Sequence, residues 1–309
     1  MDYIIFIASL ALLIVGADFI VRESERIALH FKIPAFIIGA TLIAVGTSLP
    51  EMAASMTASY NHKSELAISN VLGSVTFNIT LVLGILFLLG KQIHPKRDLF
   101  AKDSAWALFP VLIFLLVGFD GTIDRYEGTV FVLLMLGYVL FLVNDAKELL
   151  VVDEELEKEK FAWIKSLSLL TVGFVLVVGG AHYTIESATV IATTWGVSEW
   201  FIGLFLISFG TSLPELVVSI MAVKKGNADM AIGNIIGSNV ANFTMVLGGS
   251  ALVSPLLLNT KLYAFDILIA VLASIMLLFI TANRLYNKSG GIALLLVLAL
   301  FVHNALSTI

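Results

Sequence analysis

The chain has no cysteine among its 309 residues. Disulfides, thiolate nucleophiles, zinc-thiolate sites and iron-sulfur clusters are excluded, and the composition says nothing about redox compartment. Charge is scarce too, with Asp, Glu, Lys and Arg together at 13% and only six prolines. The five histidines, His30, His62, His94, His182 and His303, are scattered, and four fall at or near expected helix ends. They form no zinc or copper ligand set. The rest is apolar: 59% hydrophobic residues and a mean hydropathy of +1.00 make this a polytopic membrane protein.

At about 20 apolar residues per span, the sequence predicts an all-α protein of ten transmembrane helices. They lie near 3–20, 34–60, 65–89, 104–119, 127–144, 163–183, 198–223, 228–253, 262–281 and 290–307. No basic segment precedes the first run, which is expected to be a retained helix and not a signal peptide. Of the 18 lysines and arginines, only Lys63, Arg125 and Lys261 fall on one side of this arrangement. The positive-inside rule then puts both termini outside a cell membrane.

The hexapeptide Gly-Thr-Ser-Leu-Pro-Glu occurs at Gly46–Glu51 and again at Gly210–Glu215. The offset of 164 residues continues without a gap: between 38–84 and 202–248, 22 of 47 positions are identical. Shared Asn, Ser, Thr, Pro and Glu in register mark a duplication. The expected organisation is a first five-helix repeat over 1–150, a charged cytoplasmic linker over 151–162 and a second repeat over 163–309. Five is odd, so the second copy enters the membrane from the opposite face, and inverted repeats meeting at the midplane are a transporter arrangement. The linker run Asp153–Lys160 lacks the spacing of a calcium-binding loop and reads as solvated.

Pro50 and Pro214 each remove a helical hydrogen bond and crowd the carbonyl four residues back, so both helices should break there. Main-chain carbonyls freed at bilayer depth must line a cavity or bind something. Thr47, Ser48 and Glu51 share a helix face, as do Thr211, Ser212 and Glu215. Asn70, Ser74 and Asn78 form a stripe at intervals of four, matched by Asn234, Ser238 and Asn242. Every donor in the set is a hard oxygen or an amide, which suits sodium or calcium. The glycines Gly73 and Gly237 read better as packing positions. Asn70 and Asn234 favour interhelical hydrogen bonds, whereas Asn78 and Asn242 favour ligation. A structural role for Glu51 and Glu215 is weak because, Lys165 at the edge of its span aside, no Lys or Arg lies inside an expected helix to pair with them, and a cation from solution is the natural partner.

Gly-Thr-Ser-Leu-Pro-Glu followed by Gly-Asn-x-x-Gly-Ser-x-x-x-Asn resembles the two alpha repeats of the sodium/calcium exchanger family, in the cation/calcium exchanger superfamily, prokaryotic type. The likeness covers nearly the whole chain. It implies antiport of about three sodium ions for one calcium, with no cofactor, no enzymatic activity and no obligatory protein or nucleic-acid partner. It also implies ligands: the carboxylates of Glu51 and Glu215, the carbonyls of Thr47 and Thr211, and Asn78 and Asn242 at the centre. Ser48, Ser212, Ser74 and Ser238 would serve outer sodium positions together with the carbonyls of Ala44 and Ser208. The first and sixth helices would slide as a gate. Two departures stand out. Ser69 replaces the glycine before Asn70, and Asn242 stands where many prokaryotic and potassium-dependent members carry Asp. Two other readings stay open: a cation/proton antiporter on the same fold, which would titrate the glutamates, and a passive cation channel.

Overall fold

The computed structural model describes residues 2–89, 93–148, 162–196, 208–261 and 263–307. Apolar runs with few interior charges satisfy their main chain by becoming helices, the requirement that lipid imposes. In chain order these are α1 (Asp2–His30), α2 (Ala35–Thr47), α3 (Leu49–Tyr60), α4 (Ser64–Leu89), α5 (Leu99–Asp120), α6 (Arg125–Glu148), α7 (Trp163–Thr194), α8 (Ser208–Thr211), α9 (Leu213–Lys224), α10 (Ala228–Val253), α11 (Ala264–Ala282) and α12 (Lys288–Ser307). Among the described residues eight helices are long and apolar enough to cross a membrane, and α2 with α3 forms a further pair bent by 45°. The predicted start of the seventh helix and most of the 151–162 linker lie outside the described residues. Among the described residues one two-residue ladder, β1 (Thr122–Ile123) on β2 (Leu256–Leu257), is antiparallel.

Two helices form the centre. The apolar window of α10 is 94% buried and that of α4 83%, against 44% or less for the other spanning helices. These are the two helices that carry the Asn-Ser-Asn stripes. A helix surrounded by other helices can place polar side chains where a lipid-facing one cannot.

The helices run further into the charged margins than the apolar runs alone suggest. α1 continues to His30, so Arg22 and Arg26 are helical, which corrects the expectation that no Lys or Arg lies in a helix. They do not reach Glu51 or Glu215: both pair with Glu23, at 3.2 and 3.0 Å, and Glu23 also accepts from Ser166 Oγ of α7 at 2.8 Å. Arginine stems lie along apolar surface while their heads remain at the interface, so such turns stay helical. Ser9 and Thr184 join α1 to α7 again at 2.8 Å. On the body of the bundle Arg97 bridges Asp103 and Asp145, Lys102 also reaches Asp145, and the Arg97 guanidinium lies 4.6 Å from the Phe36 ring centroid.

Candidate functional site

Each hexapeptide breaks its helix one residue ahead of the Leu-Pro step. Ser48 leaves helical geometry with φ −85° and ψ 6°, and Ser212 repeats this with φ −87° and ψ 3°. Proline then stands as the second residue of α3 and of α9, where a missing N–H is harmless. The break puts each glutamate in the first turn of a new helix, Glu51 on α3 and Glu215 on α9. The positive end of the helix dipole favours an anion there. Both glutamates are fully buried.

The two copies of the motif meet. Ser48 Oγ donates to Glu215 Oε1 at 3.0 Å, and Ser238 Oγ approaches the same oxygen at 3.3 Å. Ser238 Oγ is also 3.5 Å from the Ala44 carbonyl, and Thr47 Oγ1 lies 3.3 Å from Asn234 Oδ1. Glu51 and Glu215 are within electrostatic reach of each other, with Thr211 beside Glu51 and Thr47 beside Glu215. Ser74, Asn78, Ser212 and Asn242 are buried in the same set, Thr211 is half-buried, and Ser208 begins α8.

Hydrogen-bond satisfaction separates ligand candidates from structural residues. Asn70 donates to Ser55 Oγ at 2.8 Å and to the Glu51 carbonyl at 3.3 Å, and Asn234 donates to Ser219 Oγ at 3.0 Å. These two asparagines tie neighbouring helices together. Among the described residues, by contrast, neither oxygen of Glu51 nor either amide atom of Asn78 and Asn242 has a hydrogen-bond partner. Ser74 Oγ, Ser212 Oγ and Glu215 Oε2 also have none. More than half of such buried atoms among the described residues belong to these six. Buried polar groups are normally satisfied, and a buried carboxylate without a counter-charge is costly. A cation would satisfy the carboxylate, hydroxyl and amide oxygens of this set together, while the two amide nitrogens, being donors, would still need acceptors.

Three features were absent from the sequence reading. α4 widens into a π-helical segment over Asn78–Val82 and α10 into one over Asn242–Leu247, each starting on the central asparagine. α2 has a third over Gly39–Ile43, just before Ala44. Such insertions recur at functional sites because they shift side-chain register and loosen the carbonyl ladder. Asn239 is also buried without a partner on either amide atom. Its counterpart in the first repeat is Val75, so the duplication gave no signal for it. Finally, α7 lies over both breaks, the Phe174 ring occupying the space beside Gly46 and Ile185 that beside Gly210.

Two buried carboxylates ringed by hydroxyls, amides and main-chain carbonyls, where broken helices from two sequence copies meet inside an apolar bundle, define a membrane transporter of cations. The chain belongs to the sodium/calcium exchanger protein family, which it matches over residues 1–144 and 165–306. It is 37% identical over 298 residues to an uncharacterized membrane protein of Methanocaldococcus jannaschii, covering 96% of this chain and 94% of that one. The sodium/calcium exchanger MaX1 of Methanosarcina acetivorans is 29% identical over 341 residues, with 97% of each chain covered. A solved structure of the sodium-calcium exchanger NCX_Mj superposes with a TM-score of 0.84 at 33% identity, covering 98% of both chains. The chain is therefore a cation/calcium exchanger of the membrane.

Proposed function

We propose that the protein exchanges about three sodium ions for one calcium ion by alternating access and that the exchange is electrogenic. Two inverted five-helix repeats, 1–150 and 163–309, present one shared cluster of sites at the midplane of the cell membrane, with both termini outside. Glu51 and Glu215 are the shared carboxylates, helped by the Thr47 and Thr211 carbonyls, with Asn78 and Asn242 at the centre. Ser48, Ser212, Ser74 and Ser238, with the carbonyls of Ala44 and Ser208, complete the outer sodium positions. The observation that carries this reading is the group of buried, unpartnered carboxylate, amide and hydroxyl atoms on Glu51, Ser74, Asn78, Ser212, Glu215 and Asn242.

Charge supports the stoichiometry. A site of two carboxylates is neutral with one Ca2+ and +1 with three Na+, so both loaded states cross a low-dielectric barrier more easily than the empty, doubly negative one. Coupling follows from that penalty. A tenfold sodium gradient supplies about 1.4 kcal/mol per ion, and one charge moving through 100 mV adds about 2.3 kcal/mol. Three sodium ions and one net charge drive a calcium ratio of about 10^4 to 10^5, whereas two sodium ions without net charge reach only about 10^2.

The test is calcium uptake into sodium-loaded proteoliposomes diluted into sodium-free buffer at clamped potential. Uptake should need internal sodium, accelerate when the interior is positive, and vanish in Glu51→Gln and Glu215→Gln. Uptake indifferent to sodium but driven by a pH step would overturn the sodium coupling in favour of proton exchange.

A further inference from the structure

Gly237 touches no ion ligand through a side chain, yet it sits where the two repeats press main chain on main chain. A Cβ built on Gly237 would fall 2.6 Å from the Cα and 2.7 Å from the carbonyl carbon of Ala40 in α2. Two neighbouring glycines make the same crossing. A Cβ on Gly233 would lie 3.1 Å from the Ala40 nitrogen, and one on Gly39 would lie 3.0 Å from the Asn234 nitrogen. Every obstacle is backbone, so no rotamer change relieves it. α2 and α10 therefore cross with main chain against main chain.

One turn beyond Ala40 stands Ala44, and next to Gly237 stands Ser238. The Ser238 hydroxyl is 3.5 Å from the Ala44 carbonyl and 3.3 Å from Glu215 Oε1. The crossing thus sets the gap between a main-chain oxygen of the first repeat and a hydroxyl of the second that also approaches Glu215. The π-helical segment Gly39–Ile43 lies within the contact, so the register of the Ala44 carbonyl depends on the same crossing.

We propose that Gly237 is a positioning residue for sodium: its bare Cα holds the Ala44 carbonyl close to the Ser238 hydroxyl, and so tunes one outer sodium position without setting the calcium position. This rests on the exchange reading above. Calcium is held chiefly by the two carboxylates, whose helices α3 and α9 do not take part in the crossing. A methyl at 237 must move α2 away from α10, and a site opened by even about 1 Å loses much of its preorganisation.

The experiment compares wild type and Gly237→Ala in proteoliposomes, with two readouts. These are the sodium dependence of sodium-driven calcium uptake, and calcium-for-calcium exchange without sodium. Half-saturation for sodium should rise about fivefold or more with a lower Hill coefficient, while half-saturation for calcium in self-exchange stays within about twofold. Gly233→Ala and Gly39→Ala open the same crossing further from Ala44 and should give the same selective shift in smaller measure, and they carry the test if Gly237→Ala does not fold. Gly248→Ala is the control, since its Cβ would meet Gly128 and Phe131 of α6, away from Ala44. Equal shifts for both ions, no shift in any folded variant, or the same sodium-selective shift in Gly248→Ala would overturn the role of Gly237. A wild type without sodium-driven uptake would instead sink the exchange reading on which it rests.

Discussion

Ser48 gives its hydroxyl to Glu215, 3.0 Å away and 167 residues further along the chain, whereas Ser212, which holds the same place in the second repeat, has no partner among the described residues. Two copies of one motif are thus used unequally. Glu215 is served by the hydroxyls of Ser48 and Ser238, whereas the equivalent hydroxyls of Ser212 and Ser74 do not reach Glu51.

Ser48→Ala should therefore destabilise the cation-free protein by about 1.5–3 kcal/mol, the range for a hydrogen bond to a charged group. Ser212→Ala should leave it nearly unchanged. Thermal unfolding of detergent-solubilised protein in chelator separates the two, and equal losses would contradict the asymmetry.

The asparagines divide by role. Asn70→Ala strips the Ser55 hydroxyl and the Glu51 carbonyl of a donor and should lower stability by about 1–2 kcal/mol with a modest change in ion half-saturation. Asn78→Ala should do the reverse, weakening ion dependence by about tenfold or more while barely altering the melting temperature in chelator. Paired melting curves and flux titrations decide between them.

Arg97 stands between two carboxylates that have almost no contact with solvent, Asp103 fully buried and Asp145 7% exposed. Removing it leaves both buried without their main counter-charge, and Arg97→Ala should cost about 3–5 kcal/mol. The triple change with Asp103→Asn and Asp145→Asn should recover much of the loss. If the triple variant is no more stable than Arg97→Ala, charge balance is not what the network provides.

Asn242→Asp converts a site of charge −2 into one of −3. The sodium-loaded state then becomes neutral and the calcium-loaded state −1, so voltage should act on the calcium limb of the cycle and no longer on the sodium limb. Transient currents on supported membranes, triggered by calcium alone or sodium alone, should show charge movement exchanged between the two ions. Unchanged currents would mean that the site charge does not govern the voltage-sensitive step.

Much of this was legible from the chain. The duplication picked out Glu51, Glu215 and their polar neighbours, because buried carboxylates repeated in register have few structural uses. The breaks came from Pro50 and Pro214 by local sterics, and they fall at Ser48 and Ser212. Asn70 and Asn234 were read as helix-to-helix bonds, and they make them. The π-helical segments at Asn78 and Asn242 were not legible, since a change from i+4 to i+5 bonding costs little locally and is decided by what packs outside. Nor was the Arg97 network, whose partners lie six and 48 residues away.

The sequence by itself determined the class and the chemistry. Long apolar runs leave the backbone no alternative to helices in lipid, and two glutamates in such runs call for a counter-cation or a proton. Only the tertiary structure decided which donors act together. The serines of the repeated motif form two equivalent pairs, Ser48 with Ser212 and Ser74 with Ser238, but Ser48 and Ser238 converge on Glu215 where α2 and α10 cross with their main chains in contact. That contact is a property of two surfaces brought together from opposite ends of the chain, and no local preference encodes it.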